Sequence, residues 1–320
     1  MVILKQTVTC VAFPTIPVLF VASVDENRVP LHDTMGLAVT DLKEETRSET
    51  TIRVQPKEAG IEFFLKGKKL DERRMNDIVT VSKEFMSLAG EEVGLKIESS
   101  NHNVFSGSSD SGAAALVCGL NELFETGLQQ QKLAELGNRI SESAVRSVYG
   151  ALSMYVVSEG RPRVVQLASD EDLKDIRIFA MGFDYKTRVS AQEIFEICRT
   201  SPYWQNRLDR VPYWVSEIKE GLNEKNWEKV FSAAEENCAN AHYLIESGGK
   251  RCRRTEMMNA VIDVEEIRAL GLPVYWTAGG GKVINAFTWE PHAEKVLQEL
   301  KRRGQNPVEY KVAGKPKTIG

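Results

Sequence analysis

The chain lacks any long apolar run: no stretch of its 320 residues approaches the roughly 20 consecutive apolar residues of a membrane-spanning helix. Residues 1–24 are apolar but interrupted by Lys5, Gln6, Pro14 and Pro17, without the basic start and unbroken core of a secretory signal. Cysteine is sparse and dispersed. Cys10, Cys118, Cys198, Cys238 and Cys252 form no CxxC and are odd in number. That pattern excludes a disulfide framework or a cysteine zinc site and fits reduced thiols. Positive charge is not in surplus either: the formal net charge is −4, which excludes a general nucleic-acid binder. Internal repeats and low-complexity tracts are missing. A soluble cytoplasmic protein is expected, with neither nucleic acid nor membrane as partner. At this length it holds one large or two intimate domains with a substantial core.

Strand-forming β-branched and aromatic residues cluster at 2–13, 35–41, 50–54 and 61–65. A helix is expected at about 71–88 and a short strand at 95–98. Leu133, Leu136, Ile140 and Ala144 share one face of a second helix at about 130–149, before strands at 151–157 and 163–167. The polar, charged segment 169–174 divides the chain into residues 1–172 and 173–320. Beyond it the pattern gives a strand at 176–183, several helices between 191 and 270, strands at 273–276 and 283–287, a helix at 292–302 and a strand at 308–312. Strands and helices in clumps indicate α+β and not a doubly wound parallel sheet.

Three constellations carry chemistry. The first is Ser106-Gly107-Ser108-Ser109-Asp110-Ser111-Gly112, running into apolar residues at Ala113, Leu116, Val117, Leu120, Leu123 and Phe124. That spacing is one buried helix face, with Gly127 placed to end it. A helix N-terminus with unpaired N–H groups favours phosphate, and Gly107 and Gly112 let backbone approach a ligand. An ordinary Ser/Asp cap explains the same residues equally well. No Lys follows the glycines, so this is not a Walker loop.

The second is Ser141-Glu142-Ser143-Ala144-Val145-Arg146-Ser147. Four residues apart on a helix, Glu142 and Arg146 project from one face. Such a pair is commonly just a solvated salt bridge. The functional reading gives Glu142 to Mg²⁺ or a substrate hydroxyl, and Arg146 to a carboxylate or phosphate. The third is Thr277-Ala278-Gly279-Gly280-Gly281-Lys282 between two apolar strands, either a hairpin turn or a surface lying against a ligand. His32, His102 and His242 have no metal-ligand spacing.

In order and surroundings these features resemble the GHMP kinase superfamily, within it the branch of mevalonate diphosphate decarboxylases and archaeal mevalonate 3-kinases. The resemblance runs nearly end to end. It includes Ala12-Phe13-Pro14-Thr15-Ile16, Pro30-Leu31-His32, Arg47-Ser48-Glu49-Thr50, Asn240-Ala241-His242 and Val312-Ala313-Gly314-Lys315-Pro316. Residues 106–115 and 141–152 are its most specific stretches. It implies a left-handed βαβ nucleotide-binding half packed on a ferredoxin-like half, with ATP, Mg²⁺ and a mevalonate-type substrate meeting between them. It also implies a homodimer. The phosphate loop maps onto Ser106 to Ser111 and the substrate arginine onto Arg146. Arg188, after Phe183-Asp184-Tyr185, resembles an arginine that contacts the mevalonate carboxylate. Asp110 stands where the decarboxylases have a serine, and either caps the helix or faces Mg²⁺ together with Glu142.

The reaction expected from the resemblance turns on two replacements. Where the decarboxylases have an aspartate before their Ala-Gly-Pro-Asn run, this chain has Thr277, and their lysine position matches Phe20, with Leu19 adjacent. A fixed carboxylate stabilises the cation that develops on decarboxylation, a contribution on the order of 10²–10³ in rate. Phosphoryl transfer depends on positioning and charge neutralisation, and survives without it. The expectation is an ATP-dependent 3-kinase for mevalonate, with Phe20, Leu19, Glu142, Arg146, Arg188 and Thr277 around the substrate. The alternatives are a decarboxylase of a mevalonate phosphate, a kinase for another small alcohol, and a non-catalytic metabolite-binding relative.

Overall fold

A computed structural model describes residues 5–70, 72–185 and 189–319, with the backbone alone for residues 72–74. The first half opens with β1 (Thr7–Ala12), β2 (Thr15–Leu19), β3 (Thr34–Asp41) and β4 (Arg47–Gln55). Next come β5 (Ile61–Leu65), the short β6 (Lys68–Lys69), α1 (Glu72–Ala89) and β7 (Gly94–His102). Helices α2 (Ser108–Leu123), α3 (Gln130–Ile140) and α4 (Ala144–Tyr149) precede β8 (Leu152–Val156) and β9 (Arg163–Ala168). The second half begins with β10 (Ile176–Gly182), α5 (Ala191–Thr200), α6 (Trp204–Glu224), α7 (Trp227–Ser247) and α8 (Thr255–Ala269). It closes with β11 (Tyr275–Ala278), β12 (Val283–Trp289), α9 (Ala293–Arg302), β13 (Val308–Val312) and β14 (Lys317–Ile319).

Among the described residues the strands form two sheets, ordered β14-β1-β4-β7-β5-β6 and β11-β12-β10-β13-β3-β8-β9, with β2 also on β3. β5 and β7 run parallel and are joined through α1, the βαβ unit expected of the nucleotide half. The other described pairings are antiparallel, so the clumped α+β reading holds. From β10 to β13 the chain runs β-α-β-β-α-β, the helical layer between β10 and β11 being α5 to α8, in the spatial order of a ferredoxin-like sheet. That sheet continues into the first half where Tyr310 pairs with Asp41.

α2 is the element that positions the site. Its buried stripe, Ala113, Ala114, Leu116, Val117, Leu120 and Leu123, lies on β1 and β4. Gly119 brings it close, since a Cβ there would meet the Ile52 side chain at 3.0 Å. Burying each of its larger apolar side chains is worth about 1.5–3 kcal/mol, enough to hold the helix start rigidly.

Three local expectations change. The loop is shorter than its composition suggests, because α2 already starts at Ser108 and Ser108 to Ser111 form its first turn. Gly127 does not end α2: the helix stops at Leu123 with Phe124 as cap, and Gly127 supplies a positive-φ turn beyond it. The single helix at about 130–149 is two, separated at residues 141–143, where Ser141 takes extended backbone (φ −149, ψ 128). Glu142 and Arg146 therefore do not share a helix face.

Candidate active site

The phosphate-type loop is held by one glycine. Gly107 has φ +74, and a Cβ there would sit 2.9 Å from the Thr15 carbonyl oxygen and 3.0 Å from its nitrogen. No side chain caps α2, which leaves its first N–H groups to another partner. Ser106, Ser108 and Ser109 are exposed, and a Cβ on Gly112 would point into open space. Ser111 differs: its buried hydroxyl bonds Gly107 O at 3.1 Å and Ser48 Oγ at 2.7 Å. It braces the turn from within.

Asp110 is turned inward as well. Its carboxylate accepts from Thr15 Oγ1 at 2.9 Å, Ser141 Oγ at 3.1 Å and Ser109 Oγ at 3.3 Å. Burial pushes its pKa up to about 6; the Arg146 charge and the Thr15 and Ser141 hydroxyls oppose the rise, and Glu142 adds to it. These hydroxyls knit the loop to β2 and to the break between α3 and α4. Here the break has its physical reason: Ser141 leaves helical geometry and gives its hydroxyl to Asp110.

Arg146, 5% exposed, is the exceptional group. Its Nη2 donates to Ser143 Oγ, while Nε and Nη1 are buried without a hydrogen-bond partner. Burial pulls its pKa down, against the pull of Asp110 and Glu142. Gly36 on β3 makes room for it, since a Cβ there would lie 2.7 Å from Arg146 Cδ. Glu142 is half-buried and makes no hydrogen bond or ion pair among the described residues. An orphaned buried donor is rare in a finished fold and marks a place for an acceptor.

The glycine run forms a hairpin turn, the first of the two readings its sequence allowed. It links β11 to β12 as a hairpin, and a Cβ on Gly279 would lie 3.5 Å from Ser106 Oγ. Thr277, on β11, is 1% exposed and its Oγ1 has no partner. β2 packs against β11, which brings the end bearing Leu19 and Phe20 toward that hairpin. The ring of Phe20 meets His242 edge-on at 6.2 Å, and His242 Nε2 lies 2.9 Å from the Gly279 carbonyl. The structure thus joins Phe20, the glycine run and the loop into one neighbourhood, and Asp110, Glu142 and Arg146 into another beneath the loop. Arg188 lies outside the described residues. A cavity of about 520 Å³ between α1 and α3 contains none of the expected site residues.

The sequence reading gave no role to Thr15 and Ser48, met only within longer motifs, nor to Gly36 and Arg207. Only Gly36 carried a signal, since glycine inside a strand marks close approach.

Residues 22–161 match the family described as the diphosphomevalonate decarboxylase-like N-terminal domain. Over 316 residues the chain is 27% identical to the mevalonate-3-kinase of Picrophilus torridus, covering 96% of each. Its fold superposes on the mevalonate-3-kinase of Thermoplasma acidophilum, solved with mevalonate 3-phosphate and ADP, with a TM-score of 0.88 at 21% identity. That match covers 99% of this chain and 98% of the other. Mevalonate diphosphate decarboxylase from Staphylococcus aureus gives 0.88 at 20% identity, covering 98% of both. The molecule has the GHMP kinase fold. Residues 22–161 are thus similar to the diphosphomevalonate decarboxylase-like domain, and the chain over most of its length to a mevalonate 3-kinase.

Two buried histidines give the fold a pH signature. Burial, with the Arg207 charge, lowers His32 to about 3; burial lowers His242 to about 4. The unfolded chain takes up these protons near 6.5 and the fold refuses them. Their contribution is therefore complete above about 6.5 and is lost as pH falls toward 4. Asp110, raised to about 6, acts oppositely, its burden easing below that value. His32→Gln isolates one histidine: between pH 6.5 and 5 the variant is expected to lose about 1.5 kcal/mol less than the wild type. Urea unfolding at both pH values measures this, and identical losses would reject it.

Proposed function

We propose that this protein transfers the γ-phosphoryl group of ATP to the 3-hydroxyl of mevalonate and releases mevalonate 3-phosphate intact. One observation carries the reading: a buried guanidinium at Arg146, with two nitrogens open, lies beside Asp110 under the bare N-terminus of α2. Charge spread over a transferring phosphoryl group is what such donors stabilise. The relative from Thermoplasma acidophilum, solved with mevalonate 3-phosphate and ADP, supports the same assignment.

The roles follow from the chemistry. Free amides of the first α2 turn and the Ser106, Ser108 and Ser109 hydroxyls cradle the triphosphate, with Gly107 setting the turn and Ser111 bracing it. Arg146 donates to the phosphoryl oxygens as the acceptor oxygen bonds to phosphorus and the bond to ADP breaks. Glu142 orients the reacting hydroxyl. Leu19, Phe20 and Thr277 wall the acceptor pocket, and Arg188 takes the carboxylate. Glu142 is a free carboxylate fit for Mg²⁺, with Asp110 behind it; such a metal screens triphosphate charge. Residues 1–172 form the ATP-binding half, and the working assembly is a cytoplasmic homodimer.

Release of an intact phosphate follows from Thr277, a neutral group where a developing cation would need a carboxylate. Incubation with mevalonate and labelled ATP is expected to give ADP and a phosphorylated acid without CO₂. CO₂ released in step with ADP would overturn the reading in favour of a decarboxylase. Turnover of other alcohols in preference to mevalonate would reassign the acceptor.

A further inference from the structure

We propose that Arg207 is a positioning residue for the acceptor substrate, fixing the main chain of Phe20 and with it one wall of the mevalonate pocket. The inference rests on the mevalonate reading above. Arg207, on α6, is fully buried, and among the described residues it has no carboxylate partner. Its guanidinium donates only to neutral acceptors: Nε to His32 Nε2 at 3.1 Å, Nη1 to Asn240 Oδ1 at 3.0 Å and the Asn237 carbonyl at 3.5 Å, and Nη2 to the Phe20 carbonyl at 2.8 Å. An unneutralised cation is an expensive way to fill a core that an aliphatic side chain fills as well. What the guanidinium supplies is direction. Its planar fork fixes several partners at set angles, which neither Lys nor an apolar residue does.

Those directions converge on one residue. Phe20 follows the last residue of β2, so no sheet partner holds its peptide groups. Instead the Phe20 N–H donates to Asn237 Oδ1 at 2.9 Å while its carbonyl takes Arg207. Its ring rests edge-on against His242, which also grips the Gly279 carbonyl in the hairpin that follows Thr277. Asn237, Asn240 and His242 all lie on α7. One helix and one arginine therefore set both Phe20 and the Thr277 hairpin. The phosphate loop meets that hairpin at Ser106 but has anchors of its own, Gly107 on Thr15 and Asp110 on Ser141. Disturbing Arg207 should thus be felt by the acceptor and hardly by the nucleotide.

Steady-state kinetics of Arg207→Lys and Asn237→Ala, varying mevalonate and ATP in turn beside the wild type, test this. Both variants are expected to raise KM for mevalonate about tenfold, with kcat and KM for ATP within about threefold. Hydrogen exchange at the Phe20 amide should quicken in both. The proposal is overturned if KM for mevalonate stays at the wild-type value in both variants. It is equally overturned if both KM values rise together as folded protein is lost, or if neither variant folds; Arg207 is then a core residue alone. A wild type that does not turn over mevalonate sinks the mevalonate reading and this inference together, whereas an active wild type with unaltered variants sinks only the role of Arg207.

Discussion

Arg146→Ala is expected to lower kcat about 10³-fold while the protein remains folded. The reason is the imbalance of its surroundings. Nε and Nη1 are buried without acceptors, so the fold gains little from them, and the group is already penalised by desolvation. On the proposed mechanism, removing it would strip a transferring phosphoryl group of its main protein donor. The nearby Asp110 loses the cation that restrains its pKa and titrates still higher than about 6. Proton uptake by Asp110 softens the change, and stability at pH 7 should shift by no more than about 1–2 kcal/mol. Initial rates and a thermal melt check both halves of this expectation. A variant retaining a tenth of wild-type kcat, or one that unfolds, would show that Arg146 serves the core and not the reaction.

Gly36→Ala should cost about 10²-fold in kcat without replacing any group that meets substrate. Gly36 sits in the strand β3, paired with Ser153 on one side and Pro17 on the other. Its backbone is not left-handed, so alanine is tolerated locally and a strand gains from losing glycine. The difficulty lies across the gap. The new methyl would stand 2.7 Å from Cδ and 2.9 Å from Nε of Arg146, mid-chain atoms that cannot simply swing aside. The guanidinium must shift as a whole. A normal melting temperature with crippled turnover is the expected pair of results; full activity would mean that the pocket around Arg146 has slack.

Much of this was legible in the sequence, and the gaps have physical causes. Ser106 to Ser111, Arg146 and the glycine run stand out because glycine and small hydroxyl residues have few structural uses in such density. Strand β2 was hidden by Pro14 and Pro17; Pro17 is accommodated only where the pairing with β3 slips between Pro17 and Leu19. The break after Ile140 was invisible because its cause, a hydroxyl bond from Ser141 to Asp110, spans 31 residues. Arg207 could not be told from Arg210 three residues on, which is half-buried, paired with Glu236 and stacked over Tyr213. Only tertiary packing separates them.

The last strand has a consequence for how the protein comes into being. β14 closes the edge of the sheet that begins with β1, setting Thr318 against Cys10 almost at the opposite end of the chain. The sheet built on β1 therefore cannot be completed until residues 317–319 are present. Neither half, then, is a detachable cassette, and a C-terminal deletion of even ten residues would leave an open β-edge inviting intermolecular pairing.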